Sequence, residues 1–393
     1  MKVAADLGRL ATTGGYSRVA LRTDMDKPLR VGIIGLGAER GWATVAHIPA
    51  LRALSDDFEL AGVANTSLAS ARAAAAAFGL PRAFESAAEL VASPEVDVVV
   101  VTVKVPYHRE LVSEALNAGK SVYCERPLGN GLAEAVELAR LATDRKLPGV
   151  VGTQAIASPE VEYVRKIVAD GYVGEVLSAT YMGAGLTWGN DVPRGDVYAM
   201  DSKNGATLLS VIGGHAISAV QSVLGRIEEV GAVLSQRRQT VRVIETGEMI
   251  RMKTPDQLML DAVLQSGARL SFQLRGGLPR GTRLLWEING TAGDLRITAK
   301  AEQIPVINIS PLRVEGGRRA EDGLRELEIP SSFYFGLEDA VAARNVAGVY
   351  RLMARDLRHG TRTAPSFDDA VALHKTLSAI EESAETGKRV RVV

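Results

Sequence analysis

Four short stretches of this 393-residue chain carry residue types and spacings that could do chemistry. Gly35-Leu36-Gly37, with Gly41 four residues beyond, is the first. Glycines at such a turn let backbone amides at a helix N-terminus face a pyrophosphate, although Ala38, Glu39 and Arg40 widen the usual spacing by one residue. Asn65-Thr66-Ser67 is the second, where dinucleotide-binding chains usually place an acid for the ribose hydroxyls. Uncharged donors stand there instead, and Arg72 follows one helical turn on, so a 2′-phosphate would be tolerated and could be paired. NADP or NAD is the implied cofactor. An ordinary turn residue and a solvated helix charge are the alternative for Asn65 and Arg72. The third stretch is Thr102 to His108, in which Thr102, Lys104 and His108 follow a valine-rich run. The fourth is Glu125-Arg126-Pro127, which ends another short apolar run at the place where parallel sheets bind ligands. Far downstream, Gly213-Gly214 allows close backbone approach beside His215. Trp42 and Trp188 could line a pocket, and packing residues are the alternative for both.

These groups need elements to position them. Leu29 to Ile34 reads as a strand, followed by the glycine loop and a helix-like stretch from Ala46 to Leu54. Glu59 to Ala64 is a second strand, and the alanine-rich Ala69 to Phe78 is a helix closed by Gly79 with Pro81 beyond. Val96 to Val103 has the continuous valine of a strand buried on both faces. Tyr107 to Ala118 and Leu132 to Ala142 are helical, while Ser121 to Cys124 and Gly149 to Thr153 are strands. Strands alternating with helices imply a doubly wound parallel sheet over residues 30–150, a Rossmann domain. After a helix at Pro159 to Asp170 the pattern changes. Val176 to Met182, Val230 to Leu234, Gln257 to Val263, Leu270 to Leu274, Arg283 to Ile288 and Gly293 to Thr298 alternate apolar and polar residues between glycine turns. The expected fold is therefore α/β, with an N-terminal Rossmann domain and, over residues 151–393, an α+β domain built on a large, mostly antiparallel open sheet. Two helices, Leu337 to His359 and Phe367 to Thr386, close the chain. Residues 1–29 read as a loose arm without the apolar core of a secretory signal.

Composition bounds the partners. Lysine plus arginine and aspartate plus glutamate each total 46, so no global attraction draws a nucleic acid or an acidic membrane. No apolar run approaches the roughly 20 residues that span a bilayer. The single cysteine, Cys124, excludes an intrachain disulfide and a multi-cysteine metal site, and no metal is implied. A small-molecule ligand and a cytoplasmic setting are expected.

Taken in order, Gly35-Leu36-Gly37, His47-Ile48-Pro49-Ala50-Leu51, the valine strand with His108 after it, Cys124-Glu125-Arg126-Pro127-Leu128 and the ending Ser383 to Val390 resemble the glucose-fructose oxidoreductase, inositol dehydrogenase and MocA family. The resemblance implies hydride transfer between a nicotinamide and a carbinol carbon of a sugar or polyol, with assembly into a homodimer or homotetramer through the open sheet. It implies that Glu125 and Arg126 stand at the glutamate-lysine-proline motif near the nicotinamide ribose, and that His215 is the histidine that hydrogen-bonds the reacting hydroxyl. The family's lysine is Arg126 here, and its aspartate four residues before the histidine is Val211. Arginine can polarise an oxygen but hardly accepts a proton, which leaves His215 as the best remaining base, with Lys203, Lys104 and Tyr198 as substitutes if the fold brings them close. Gly41-Trp42, the stretch Tyr198 to His215 and Ala364 to Ala370 further resemble the subset around the fungal galactose-regulon repressor. That subset implies the alternative of a catalytically silent, dinucleotide-binding regulator.

Overall fold

The computed structural model describes residues 27–300, 305–334, 337 and 340–393, so most of the expected N-terminal arm lies outside the described residues. The first half runs β1 (Leu29–Ile34), α1 (Ile48–Ala53), β2 (Phe58–Ala64), α2 (Leu68–Phe78), α3 (Ala87–Ala92), β3 (Val98–Val101), α4 (His108–Asn117), β4 (Ser121–Glu125), α5 (Leu132–Arg145) and β5 (Gly149–Gly152). Its five strands are parallel in the order β2-β1-β3-β4-β5. Chain direction across the sheet reverses between β1 and β3, which opens a crevice at the carboxyl ends of those strands. All four valines of β3 are buried, as a central strand covered on both faces requires.

The second half runs α6 (Pro159–Ala169), β6 (Val176–Gly185), β7 (Asp191–Val192), α7 (Gly214–Leu224), β8 (Ile227–Ser235), β9 (Thr240–Val243), β10 (Met249–Arg251), β11 (Gln257–Leu264), β12 (Arg269–Gly276), β13 (Leu285–Gly290), β14 (Gly293–Ala299), β15 (Leu312–Arg318), β16 (Arg325–Glu326), α8 (Val341–His359), α9 (Phe367–Thr386) and β17 (Val390–Arg391). Nine strands form one sheet, β16-β15-β14-β13-β6-β12-β11-β8-β17, antiparallel except where β12 pairs with β6. Alternation along β11 and β12 buries Leu258, Leu260, Leu270, Phe272 and Leu274 on one face. Tyr181 stacks on Phe272 within that layer, with ring centroids 4.8 Å apart.

The two terminal helices return to the first sheet. Val346, Ala347, Val349, Tyr350 and Met353 of α8 share one core with β1, β2 and α1, and Phe367 and Ala370 of α9 join the core on the opposite face. Residues assigned from sequence to the second domain thus help to cover the Rossmann sheet. Among the described residues no helix is long and apolar enough to cross a membrane.

Candidate functional site

The glycine loop leaves β1 at the crevice. Gly35 has φ +102°, a left-handed region that disfavours a side chain, and a Cβ on Gly37 would lie 2.2 Å from the Arg40 carbonyl oxygen. Thr102, at the end of β3, donates its hydroxyl to the carbonyls of Ile34 (3.1 Å) and Gly35 (3.0 Å). The amides of Gly37 to Gly41 donate no hydrogen bond among the described residues. A turn too tight for side chains, presenting free amides ahead of a helical segment, fits a pyrophosphate.

Asn65 takes a different position from the one expected at a ribose. Its Oδ1 accepts the Leu36 amide at 3.0 Å and its Nδ2 donates to the Leu36 carbonyl at 2.8 Å, so the side chain clamps the glycine loop to the end of β2. Ser67 caps α2 by accepting the Ser70 amide, and Thr66, Ser67 and Arg72 are exposed beside it. Trp42 is half-buried against the Rossmann core with Nε1 unpartnered. It precedes a π-helical turn, Ala43–His47, where the helix expected from Ala46 starts early and wide.

His108 also differs from its expected place at the cofactor. It is buried, with Nδ1 2.9 Å from the Pro127 carbonyl and Nε2 2.9 Å from the Val103 carbonyl. Burial lowers its pKa, and the single N–H of the neutral ring can donate to only one of these carbonyls, so the imidazole is packed between the β3 loop and the cis Arg126–Pro127 turn with one hydrogen bond. Lys104 is exposed instead, its Nζ 4.9 Å from the ring centroid of Tyr198, which belongs to the second half. Asn130 donates to the Lys203 carbonyl at 2.7 Å across the same seam.

Arg126 and His215, 89 residues apart in sequence, come together behind the end of β4, where the guanidinium packs against Gly214. The Arg126 guanidinium is buried and donates from Nη2 to the Ser210 carbonyl at 2.7 Å, while its Nε has no partner. Burial pulls its pKa down to about 10, against the opposing pull of Glu125, so it remains a cation near neutrality. Ser210 belongs to a second π-helical turn, Leu208–Gly213, closed at its start by a Thr207–Ser210 capping box and continued by α7. That turn carries His215 into the interior with Nδ1 unpartnered. Burial, then the Arg126 charge, hold His215 well below the usual imidazole pKa. His374 of α9, which sequence reasoning did not single out, is buried, and its pKa is lowered to about 4 by burial and then by Arg126. The cluster is thus one guanidinium and two neutral imidazoles.

Glu125 points away from Arg126's seat. Its Oε1 accepts His47 Nε2 at 3.0 Å and Gln154 Nε2 at 2.8 Å, and its Oε2 accepts Gln154 Nε2 at 2.9 Å. His47 and Gln154 were not expected at the site. Their signal was weak: a histidine in an apolar helix and a glutamine after a strand are ordinary packing positions.

Comparison with known proteins follows this division. Residues 29–162 match the model of the oxidoreductase family with an NAD-binding Rossmann fold, and residues 159–299 match that of the Gal80p C-terminal domain. The galactose/lactose metabolism regulatory protein GAL80 of Kluyveromyces lactis is 28% identical over 72% of this chain, a stretch that spans 66% of the regulator, just under two thirds. The dehydrogenase aclE of Aspergillus oryzae is 28% identical over 93% of this chain and 98% of its own length. In fold, the crystal structure of a super-repressor mutant of Gal80p from Saccharomyces cerevisiae superposes with a TM-score of 0.83 at 22% identity, covering 93% of this chain and 98% of that one. The Rossmann half thus matches the NAD-binding oxidoreductase family and the half that follows matches the Gal80p C-terminal domain, so the chain is similar to the glucose-fructose oxidoreductase, inositol dehydrogenase and MocA family in the subset around Gal80p.

Proposed function

We propose that this protein is an NAD(P)-dependent oxidoreductase acting on a carbinol carbon of a sugar, polyol or related small molecule. The seating of the Arg126 guanidinium, at the end of β4, against Gly214 and so next to His215 is the observation that supports it most. When bound, the nicotinamide supplies the hydride acceptor or donor. Arg126, cationic at neutral pH, polarises the substrate oxygen, and His215, neutral there, accepts or returns its proton. The free amides of Gly37 to Gly41 hold the pyrophosphate. Thr66, Ser67 and Arg72, with no carboxylate at the end of β2, favour NADP or dual use. Lys104 and Tyr198 line the mouth of the cleft.

The open face of the nine-stranded sheet supports a homodimer or homotetramer. Val233, Met259, Gln273, Met182 and Leu285 fall on one register row across it, apolar except at Gln273, and Val233 and Met259 are each more than half exposed. A cytoplasmic setting goes with the buried, unpaired Cys124.

A second reading, a catalytically silent dinucleotide-binding regulator, has its own observation. Arg126 spends Nη2 on a backbone carbonyl, and no carboxylate hydrogen-bonds His215 among the described residues. Incubation of the purified protein with NAD⁺ or NADP⁺ and a panel of sugars, polyols and cyclitols separates the two. Cofactor reduction supports the enzyme. A silent panel despite measurable cofactor binding, together with cofactor-dependent capture of a protein partner, supports the regulator.

A further inference from the structure

We infer that His47 and Tyr350 are positioning residues that hold the Glu125 carboxylate in one orientation toward the nicotinamide-side ribose, a role that rests on the cofactor reading above. The two residues lie on π-turn Ala43–His47 and on α8, and both are fully buried. The hydroxyl of Tyr350 lies 2.7 Å from His47 Nδ1, and His47 Nε2 lies 3.0 Å from Glu125 Oε1. A carboxylate only accepts, so Nε2 carries the proton that bridges to Glu125. Whichever of Nδ1 and the Tyr350 hydroxyl carries the proton between them, their bond holds the ring so that Nε2 donates to Glu125. From the other strand end, Gln154 donates to both oxygens of the same carboxylate at 2.8 and 2.9 Å. Two donors from two elements fix the plane of the carboxylate as well as its place.

The surroundings leave His47 no second orientation. Its ring meets Tyr123 edge-on at 5.2 Å, and Tyr123 stacks on Tyr350 at 4.8 Å. Phe58 closes the other side of Tyr350 at 5.3 Å. In such an aromatic core, apolar residues of similar volume would pack at no desolvation cost, whereas this buried polar chain carries the cost of Gln154 Oε1, which has no partner among the described residues. The one member that reaches solvent is Glu125, whose side chain is 13% exposed, at the end of β4 beside the crevice. The chain is built inward from that exposed carboxylate, which is the arrangement of support for a ligand contact rather than of a core bond.

Calorimetric titration of the full chain with NADH, NADPH and ADP tests the assignment, because ADP reaches the glycine loop but has no nicotinamide-side ribose. Loss of one donor to a charged group predicts that His47→Leu weakens binding of the preferred dinucleotide by about tenfold while ADP affinity stays within about twofold. His47→Gln, whose Nε2 can stand in for the imidazole donor, should recover most of that loss. Tyr350→Phe removes only the hydroxyl and should weaken the dinucleotide selectively by a smaller factor, so it decides the matter if His47→Leu does not fold. Unchanged dinucleotide affinity in these variants, or equal losses for dinucleotide and ADP, would overturn the assignment and leave the cofactor reading standing. A wild-type protein that binds none of the three ligands would overturn both.

Discussion

Gly214→Ala has an effect whose sign depends on Arg126. Gly214 has ordinary helical backbone angles, so alanine fits the main chain there. A Cβ at this position, however, would lie 1.5 Å from Nη2, 2.4 Å from Cζ and 3.1 Å from Nε of Arg126. The guanidinium would have to leave its seat and give up its bond to the Ser210 carbonyl. A hydrogen bond from a charged donor is worth about 1.5–3 kcal/mol, and alanine in place of a helical glycine returns about 0.5–1 kcal/mol. The net expectation is about 1–2 kcal/mol of destabilisation in the wild-type background. With Arg126→Ala already present there is no clash, and the same Gly214→Ala change should stabilise by about 0.5–1 kcal/mol. Urea denaturation of the wild type, both single variants and the double variant gives the coupling directly, expected at about 1.5–3 kcal/mol. An identical effect of Gly214→Ala in both backgrounds would refute the packing of Arg126 against the start of α7.

Three further outcomes follow from the same geometry. His374 resists protonation in the native state down to about pH 4, whereas an unfolded histidine titrates near 6.5, so the unfolded chain binds more protons in between. Stability should therefore fall as pH drops through that window, by about 2 kcal/mol at pH 5 from this residue alone, and His374→Gln should remove that share of the difference between denaturation curves at pH 7 and pH 5. His215, held well below the usual imidazole pKa, is neutral throughout the neutral range, so kcat/KM for alcohol oxidation should show no acid limb near pH 6.5, while carbonyl reduction, which needs the protonated ring, should fall steadily as pH rises. A bell centred near neutrality in the oxidative pH profile would remove His215 from the proton path. Asn65→Ala breaks both bonds to Leu36 and should weaken the dinucleotide about tenfold, whereas Asn65→Asp keeps the acceptor for the Leu36 amide and should shift preference from NADPH toward NADH in paired titrations.

Much of the first sheet was legible because its signals are local. The β-branched run Leu29–Ile34, the four valines of β3, and the alanine helix stopped by Gly79 each declare their element through side chains that lie within a few residues. Helix α9 matches its expected span, Phe367 to Thr386, because a Ser366–Asp369 capping box and a left-handed Gly387 mark both ends. The helix α7 and the π turn before it were not foreseen, since the Gly213-Gly214 pair looks like a break rather than an interior. The site was legible only in part. Arg126 and His215 were found, but that Arg126 would turn inward to Ser210 depends on a backbone carbonyl 84 residues away. His108, Asn65 and His47 show the same limit: each imidazole or amide is claimed by partners from distant segments, and neither composition nor spacing names those partners. His374 and Tyr350 enter the site's surroundings only because the last two helices fold back over the first sheet.

The proposed hydride transfer is tested most directly by the absorbance of reduced nicotinamide when the purified protein meets NAD⁺ or NADP⁺ with a panel of sugars, polyols and cyclitols. Cofactor reduction is expected with at least one member, lost by orders of magnitude in Arg126→Ala while cofactor affinity stays within about tenfold. No reduction across the panel, from a protein shown by titration to bind the cofactor, would contradict it and leave the regulator.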